Sequence, residues 1–322
     1  VLGTHGRTVF IIDDYSALRG LSTASFSKPF ELLSATPGQQ YVPMRAPSTR
    51  FWGDGAFAGE NEDYGVVFTV MASGDHLQHP NDDKEKLRKI ANRKKVKEDN
   101  NDDKKDESEK KTDKVRIVIS DQHGKVVRTF VTKLKQGINR IVWGMESDGA
   151  KRMPGNEPAE DKDILPGGAE VVPGIYSVKM TLNEHSIETK AEVIADPRYS
   201  ISQSDLEKRY QYIKSSEDLF SQIADVATQI ELSQKVIASV KEMANNKIEV
   251  EDIKDEEHPL KKLITKAEEM DKKLKDMNKQ LRSLPKTKGI VDDSYKVTSK
   301  VGTASYYLYA AYDNPSPTAL AY

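Results

Sequence analysis

The sequence predicts a multidomain chain that is first all-β and then all-α: a β-sandwich followed by an antiparallel helical tail. Three observations carry this. Val126, Arg128 and Phe130 alternate with Val127, Thr129 and Val131, and Ile138 to Trp143 and Ile175 to Leu182 keep the same two-residue rhythm. From Leu206 to Ala244 the apolar residues instead recur at steps of three and four. From Leu260 to Leu284 those steps alternate without a miss. A period of two gives a strand one dry and one wet face, and such a face needs a second sheet to cover it. A period near 3.6 gives a helix one apolar stripe.

Length and composition set the outer bounds. The 322 residues suffice for two or three domains. The 49 lysines and arginines nearly cancel the 51 acids, which leaves no broad basic field for nucleic acid. With 0 cysteines there are no disulfides, thiolate metal sites or thiol nucleophiles. No apolar run approaches the roughly 20 residues that span a bilayer. A strand-like run already under way at Val1 reads as the continuation of a longer protein.

Taken in order, residues 1–14 read as a hairpin turning through His5 and Gly6. Residues 15–60, rich in Ser, Pro, Gly and Ala with scattered aromatics, read as an ordered linker with one strand at Phe30 to Leu33. Gly53, Gly55 and Gly59 lack the spacing and the strand-then-helix setting of a dinucleotide loop. Residues 61–197 read as the sandwich, with strands at Tyr64 to Ala72, Val115 to Ser120, Lys125 to Val131, Ile138 to Glu146, Ile175 to Leu182 and Ile187 to Ala195. About six or seven strands suit an immunoglobulin-like or fibronectin-like sandwich, with Trp143 as the core aromatic. The stretch 75–114 is dominated by charges of both signs and reads as a mostly disordered or transiently helical insert, too poor in apolar groups to offset chain entropy.

Residues 198–322 read as the helical tail. Ser204 with Glu207 forms a capping box at its start. Leu206, Tyr210, Ile213, Phe220, Ile223, Ala227, Ile230, Ile237, Val240 and Ala244 form the first stripe. Pro259 opens a second helix whose seam is Leu260, Leu263, Ala267, Met270, Leu274, Met277, Leu281 and Leu284, stopped by Pro285 and Gly289. A third, from about Asp293, places Val297, Val301, Ala304, Leu308 and Ala311 on one side before Pro315. Three antiparallel helices would bury all three stripes.

Candidate chemistry is sparse, and no residue is expected to be catalytic, cofactor-binding or metal-binding. His76 and His79, beside Asp75, Asp82 and Asp83, have metal-ligand character only on a helix, which Gly74 and Pro80 oppose, so they read as a solvated loop. His5 with Asp13 and Asp14 has acid and base groups but no nucleophile, and reads as a turn and a strand end. Tyr306, Tyr307, Tyr309 and Tyr312 offer rings for a sugar or a partner protein, or for packing the tail on the sandwich. The lysine-rich pieces Arg93 to Lys97 and Lys104 to Lys105 are neutralised by interleaved acids.

Several strings together resemble one family. Val1 to Asp14, VLGTHGRTVFIIDD, is similar to the closing strands of the last blade in bacterial sortilin-type Asp-box (BNR) repeat propeller proteins, many labelled glycosyl hydrolases. In that family a linker leads to GxNPPxGA, a sandwich and a helical tail. Gly59, Asn61 and Gly65 keep that pattern, while Glu62, Asp63 and Val66 depart from it. GKVVRTF, the strand ending in Trp143, and PGIYSVKM resemble the immunoglobulin-like domain of the flagellar hook-capping protein. The resemblance implies that residues 1–14 are the remnant hairpin of a propeller blade belonging to the same parent chain. It implies a secreted, periplasmic or outer-surface location and a non-catalytic module for protein or cell-surface binding. The alternative it implies is an accessory region of a propeller hydrolase whose catalytic residues lie upstream.

Overall fold

In a computed structural model of the chain, the residues described are 2–3, 5–6, 9–10, 14–42, 62–81, 83–90, 112–155, 163–283, 293–310, 312 and 314–321. Strands and helices are both present, so the class is α+β. The chain divides into two compact units, Val1–Ser147 with Val171–Ser200, and Asp148–Glu170 with Ile201–Tyr322.

The first unit is built on sheets. A short pair, β1 (Leu2–Gly3) and β2 (Val9–Phe10), is antiparallel. After a short helix α1 (Ser16–Arg19) and a 3-10 turn (Thr23–Ser27) come β3 (Phe30–Thr36), β4 (Gly38–Gln39) and β5 (Val66–Ala72). A helical stretch α2 (83–90) precedes β6 (Lys114–Ser120), β7 (Val126–Lys133), β8 (Gly137–Trp143) and β9 (Glu146–Asp148). The chain leaves this unit within β9 and returns after β10 (Gly167–Glu170), for β11 (Gly174–Leu182) and β12 (His185–Ile194). One sheet has five strands in the order β4-β12-β11-β6-β7, and another has three in the order β3-β5-β8. All pairings in these two sheets are antiparallel except β4 with β12.

The alternation read from the sequence reappears as burial: Val115, Ile117 and Ile119 of β6 and Tyr176, Val178, Met180 and Leu182 of β11 point inward while their neighbours do not. Trp143, 1% exposed, ends the three-stranded sheet and meets Tyr176 of the five-stranded one edge-on at 5.3 Å. Its indole N–H donates to the carbonyl of Glu146 at 2.8 Å, satisfying a polar group that burial would otherwise penalise. Gly65 enters β5 at φ +141°, and a Cβ there would lie 2.1 Å from the carbonyl oxygen of Trp143. Only glycine lets the two backbones approach so closely.

Two segments differ from expectation. The stretch that reads as linker supplies more strand than expected: β3 contains the expected strand at Phe30 to Leu33 and lies along β5, with a bulge between Leu32 and Ser34, and β4 adds a parallel strand beside β12. Residues 43–61, including Gly53, Gly55, Gly59 and Asn61, lie outside the described residues. The composition of the insert 75–114 predicts disorder, yet its described part is built in. Leu77 is fully buried, and α2 sends Arg88 back to the carbonyls of Asp75 and Leu77 while Glu85 accepts the N–H of His79 at 2.9 Å. That N–H, with Arg88 and Lys89 nearby, holds the Glu85 carboxyl below its usual range. A charged composition signals disorder only when the charges have no backbone groups to satisfy. Residues 91–111 lie outside the described residues.

The second unit takes in β10, which the sequence pattern places in the sandwich, and the helices α3 (Gln203–Val250), α4 (Pro259–Leu281), α5 (Val297–Ala310) and α6 (Pro317–Ala321). Ser202, not Ser204, caps α3: its hydroxyl accepts the N–H of Asp205 at 3.1 Å and donates to that carboxylate at 2.6 Å. Glu207 instead accepts from Gln203 on the surface. None of the ten apolar residues expected along α3 is exposed. Ala169, Ile213 and Leu308, with Tyr210 against them, form the core where β10, α3 and α5 meet.

Candidate interaction surface

The first unit holds an open cleft of about 450 Å³ whose lining includes His76, His185, Asp75 and Glu184. Thr112 fixes the Asn183 amide, giving its N–H to Oδ1 at 2.8 Å and accepting from Nδ2 at 3.2 Å. Asn183 Nδ2 therefore faces His76 Nε2 at 3.2 Å as a donor, and a neutral His76 ring carries its proton on Nδ1. His79 is engaged elsewhere, where its Nδ1 accepts the N–H of Asn81 at 2.9 Å. Asp83 pairs with Lys86 on the surface, and Asp82 lies outside the described residues. Among the described residues no three histidines or acids converge to hold a metal ion.

The other acid and histidine candidates are also separated. His5 lies exposed in its turn, and Asp13 lies outside the described residues. Asp14 accepts the Thr36 hydroxyl at 2.6 Å and the Ser16 N–H at 2.8 Å, which together lower its pKa to about 2. An acid held this firmly ionised is an anchor for the chain and a poor proton donor at neutral pH. The lysine-rich pieces 93–97 and 104–105 lie outside the described residues.

The second unit carries a more extensive feature. Beyond its contacts with α5, α3 continues as one arm of a hairpin whose other arm is α4. His258 accepts the N–H of Leu260 ahead of Pro259, which opens α4 as expected. Polar pairs hold the arms together: Gln234 to Asp271 at 3.0 Å, Lys241 to Glu268 at 2.8 Å, and Glu231 to Arg282 at 2.6 Å, with Arg282 also on Asn278 at 3.0 Å. Lys275, and secondarily Gln234, keep the Asp271 carboxyl below its usual range.

α4 does not take the orientation that its whole seam predicts. Ala267 and Asn278 are its buried residues, with Leu260, Ile264, Asp271, Leu274 and Leu281 half-buried. Leu263, Met270 and Met277 of the expected seam stand 42%, 57% and 54% exposed. They are seven residues apart, two turns of helix, and so form one continuous stripe. Leu284, Pro285 and Gly289 lie outside the described residues.

No family model, curated protein or solved structure matches this chain. No helix among the described residues is long and apolar enough to cross a membrane.

The third helix does not cover the stripe. α5 sits against the first half of α3, where Ser305 meets Ser216 at 3.0 Å and Tyr309 reaches Glu217 at 2.6 Å. Of the tyrosine cluster, Tyr309 is thus tied to α3, and Tyr306 and Tyr307 meet edge-on at 5.7 Å. The expectation that three helices bury all three stripes is therefore corrected. α5 spans only 14 residues against 48 in α3 and stays at one end. The exposed stripe could not be read from the sequence because its spacing is the same as that of a buried seam.

Proposed function

We propose that this chain is a non-catalytic interaction module that works through the α3–α4 hairpin. The observation that carries the reading is the stripe Leu263, Met270 and Met277, apolar and exposed beside the half-buried Val240 of α3. Contiguous apolar surface of this kind marks contact sites, and methionines adapt to varied partner shapes.

The wider reading places the module in an exported Asp-box propeller protein, with a protein or cell-surface partner. The blade-like string at Val1 to Asp14 and the Gly65 of the linker motif support it. An immunoglobulin-like character for the sheet unit is supported by Tyr176, whose hydroxyl donates to the carbonyl of Val172 four residues upstream at 2.6 Å, as in a tyrosine corner. The alternative, an accessory region lending substrate contacts to a propeller hydrolase, draws on the cleft beside His76 and His185.

Two measurements test the module reading together. The purified chain turns over no nitrophenyl glycoside or peptide substrate, and the dye bis-ANS binds the folded chain with a signal that drops in Met270→Lys. Turnover that tracks the folded protein, or dye binding indifferent to Met270, would overturn it.

A further inference from the structure

The charges around the stripe specify what covers it. With about 100° between successive residues of a helix, the contacts Gln234–Asp271 and Lys241–Glu268 define one side of the hairpin, lined by polar groups that also include Asn245 and Glu242. The opposite side carries Leu263, Met270 and Met277 from α4 and Val236 and Val240 from α3. Along the outer edge of α4, just past Met277 in angle, lie Lys266 and Lys273, both exposed and neither in an ion pair among the described residues. The matching edge of α3 carries Lys247, exposed and 3.7 Å from Glu251 in a surface pair of little strength. The nearest acids on α4, Glu269 and Asp276, are turned further round to its back. The α4 edge of this apolar side is therefore basic, while the α3 edge is apolar at Val236 and Met243 with Lys247 paired to Glu251.

We propose that this side receives one amphipathic helix from another protein, with acidic residues flanking its apolar stripe, so that the hairpin becomes a three-helix bundle. The inference rests on the interaction-module reading and names the partner's chemistry. Three helices enclose a seam that two leave half open. The stripe from Leu263 to Met277 spans about 21 Å, or about four turns of a partner helix. Carboxylates at the partner's flanking positions would meet Lys266 and Lys273 along the α4 edge. A second copy packed with its α4 edge against this one would bring four lysines together, Lys266 and Lys273 from each, which charge repulsion disfavours.

The test uses the full chain and two fluorescent synthetic helical peptides of about 20 residues, identical in their leucine stripe and differing only in Glu or Lys flanks. Anisotropy is expected to show binding of the Glu-flanked probe at least tenfold tighter than of the Lys-flanked one. Met270→Lys is expected to weaken it at least tenfold. Asn246→Lys, exposed on the polar side of the hairpin, is expected to leave it unchanged. The double variant Lys266→Glu with Lys273→Glu is expected to reverse the preference, with circular dichroism confirming that each variant is folded. Equal binding of both probes, or no reversal, would overturn the charge assignment. Sedimentation showing a dimer that Met270→Lys dissolves would assign the surface to a second copy instead, and binding to phosphatidylserine vesicles without peptide binding would assign it to a membrane; either result sinks the proposal. Dye binding that depends on Met270 with no peptide binding would sink this inference alone and leave the interaction module standing.

Discussion

Tyr309 of α5 donates its hydroxyl hydrogen to Glu217 of α3 at 2.6 Å, and Glu217 also holds Lys214 at 2.6 Å. Glu217 is itself buried and rests against Gly168 of β10, where a Cβ would come within 2.5 Å of its carboxylate and of the Gly149 backbone. Removing the hydroxyl in Tyr309→Phe leaves the carboxylate one donor, and we expect a loss of about 1.5 kcal/mol. Glu217→Ala leaves Lys214 without its carboxylate and is expected to cost about 2–3 kcal/mol. Urea denaturation followed by far-ultraviolet circular dichroism reads both, and equal stability of all three proteins would show that the contact is incidental.

The cap of α3 separates two serines two positions apart. Ser202→Ala removes an acceptor for the Asp205 N–H and should destabilise the helical unit by about 1 kcal/mol. Ser204→Ala should change it by less than about 0.5 kcal/mol. The reverse ranking in thermal melts would restore the cap read from the sequence.

Gly65 stands where φ is +141° and the Trp143 carbonyl leaves no room for a side chain. Gly65→Ala should cost about 2–4 kcal/mol, because the β5–β8 pairing must shift to admit a methyl group. Tryptophan fluorescence during denaturation reads it through the nearby Trp143, and an unchanged midpoint would count against the close approach.

Acid should weaken the first unit in a defined window. Asp14 has its pKa lowered to about 2, chiefly by the Thr36 hydroxyl and then by Ser16. The folded value lies below the unfolded one of about 3.9, so the stabilisation is complete above that value and is lost as pH falls towards about 2. Asp196, held below the usual carboxylate range first by Arg198 and also by the Arg198 and Val42 N–H groups, acts in the same direction. The native chain should exceed Asp14→Asn in stability at pH 6, with the gap narrowing below about pH 4 and closing only below about pH 2. A gap independent of pH would mean that Asp14 acts by shape alone.

The burial pattern of β6 and β11 is legible in the sequence because each has one dry face, which a period of two marks, whereas β5 is buried along its whole length. Val115, Ile117 and Ile119 can be assigned to the core from spacing, as can Trp143 from its size. The ten apolar positions of α3 are legible for the same reason, since α5 and α4 between them use the whole stripe. The insert is not, because Arg88 and Glu85 act on backbone groups of the turn before them, and composition counts charges without asking what they bond. Of the candidate surface, the sequence supplies the residues but not their exposure.

Local periodicity, then, is enough to say where strands and helices run and which residues are available for burial, since those follow from the chain's own geometry. Which face of α4 meets α3 is decided only in three dimensions. There the pairs Gln234–Asp271, Lys241–Glu268 and Glu231–Arg282 line the contact between the two arms. With Ala267 and Asn278 buried and those pairs along one side, the opposite side of α4 is left to solvent, and with it Leu263, Met270 and Met277.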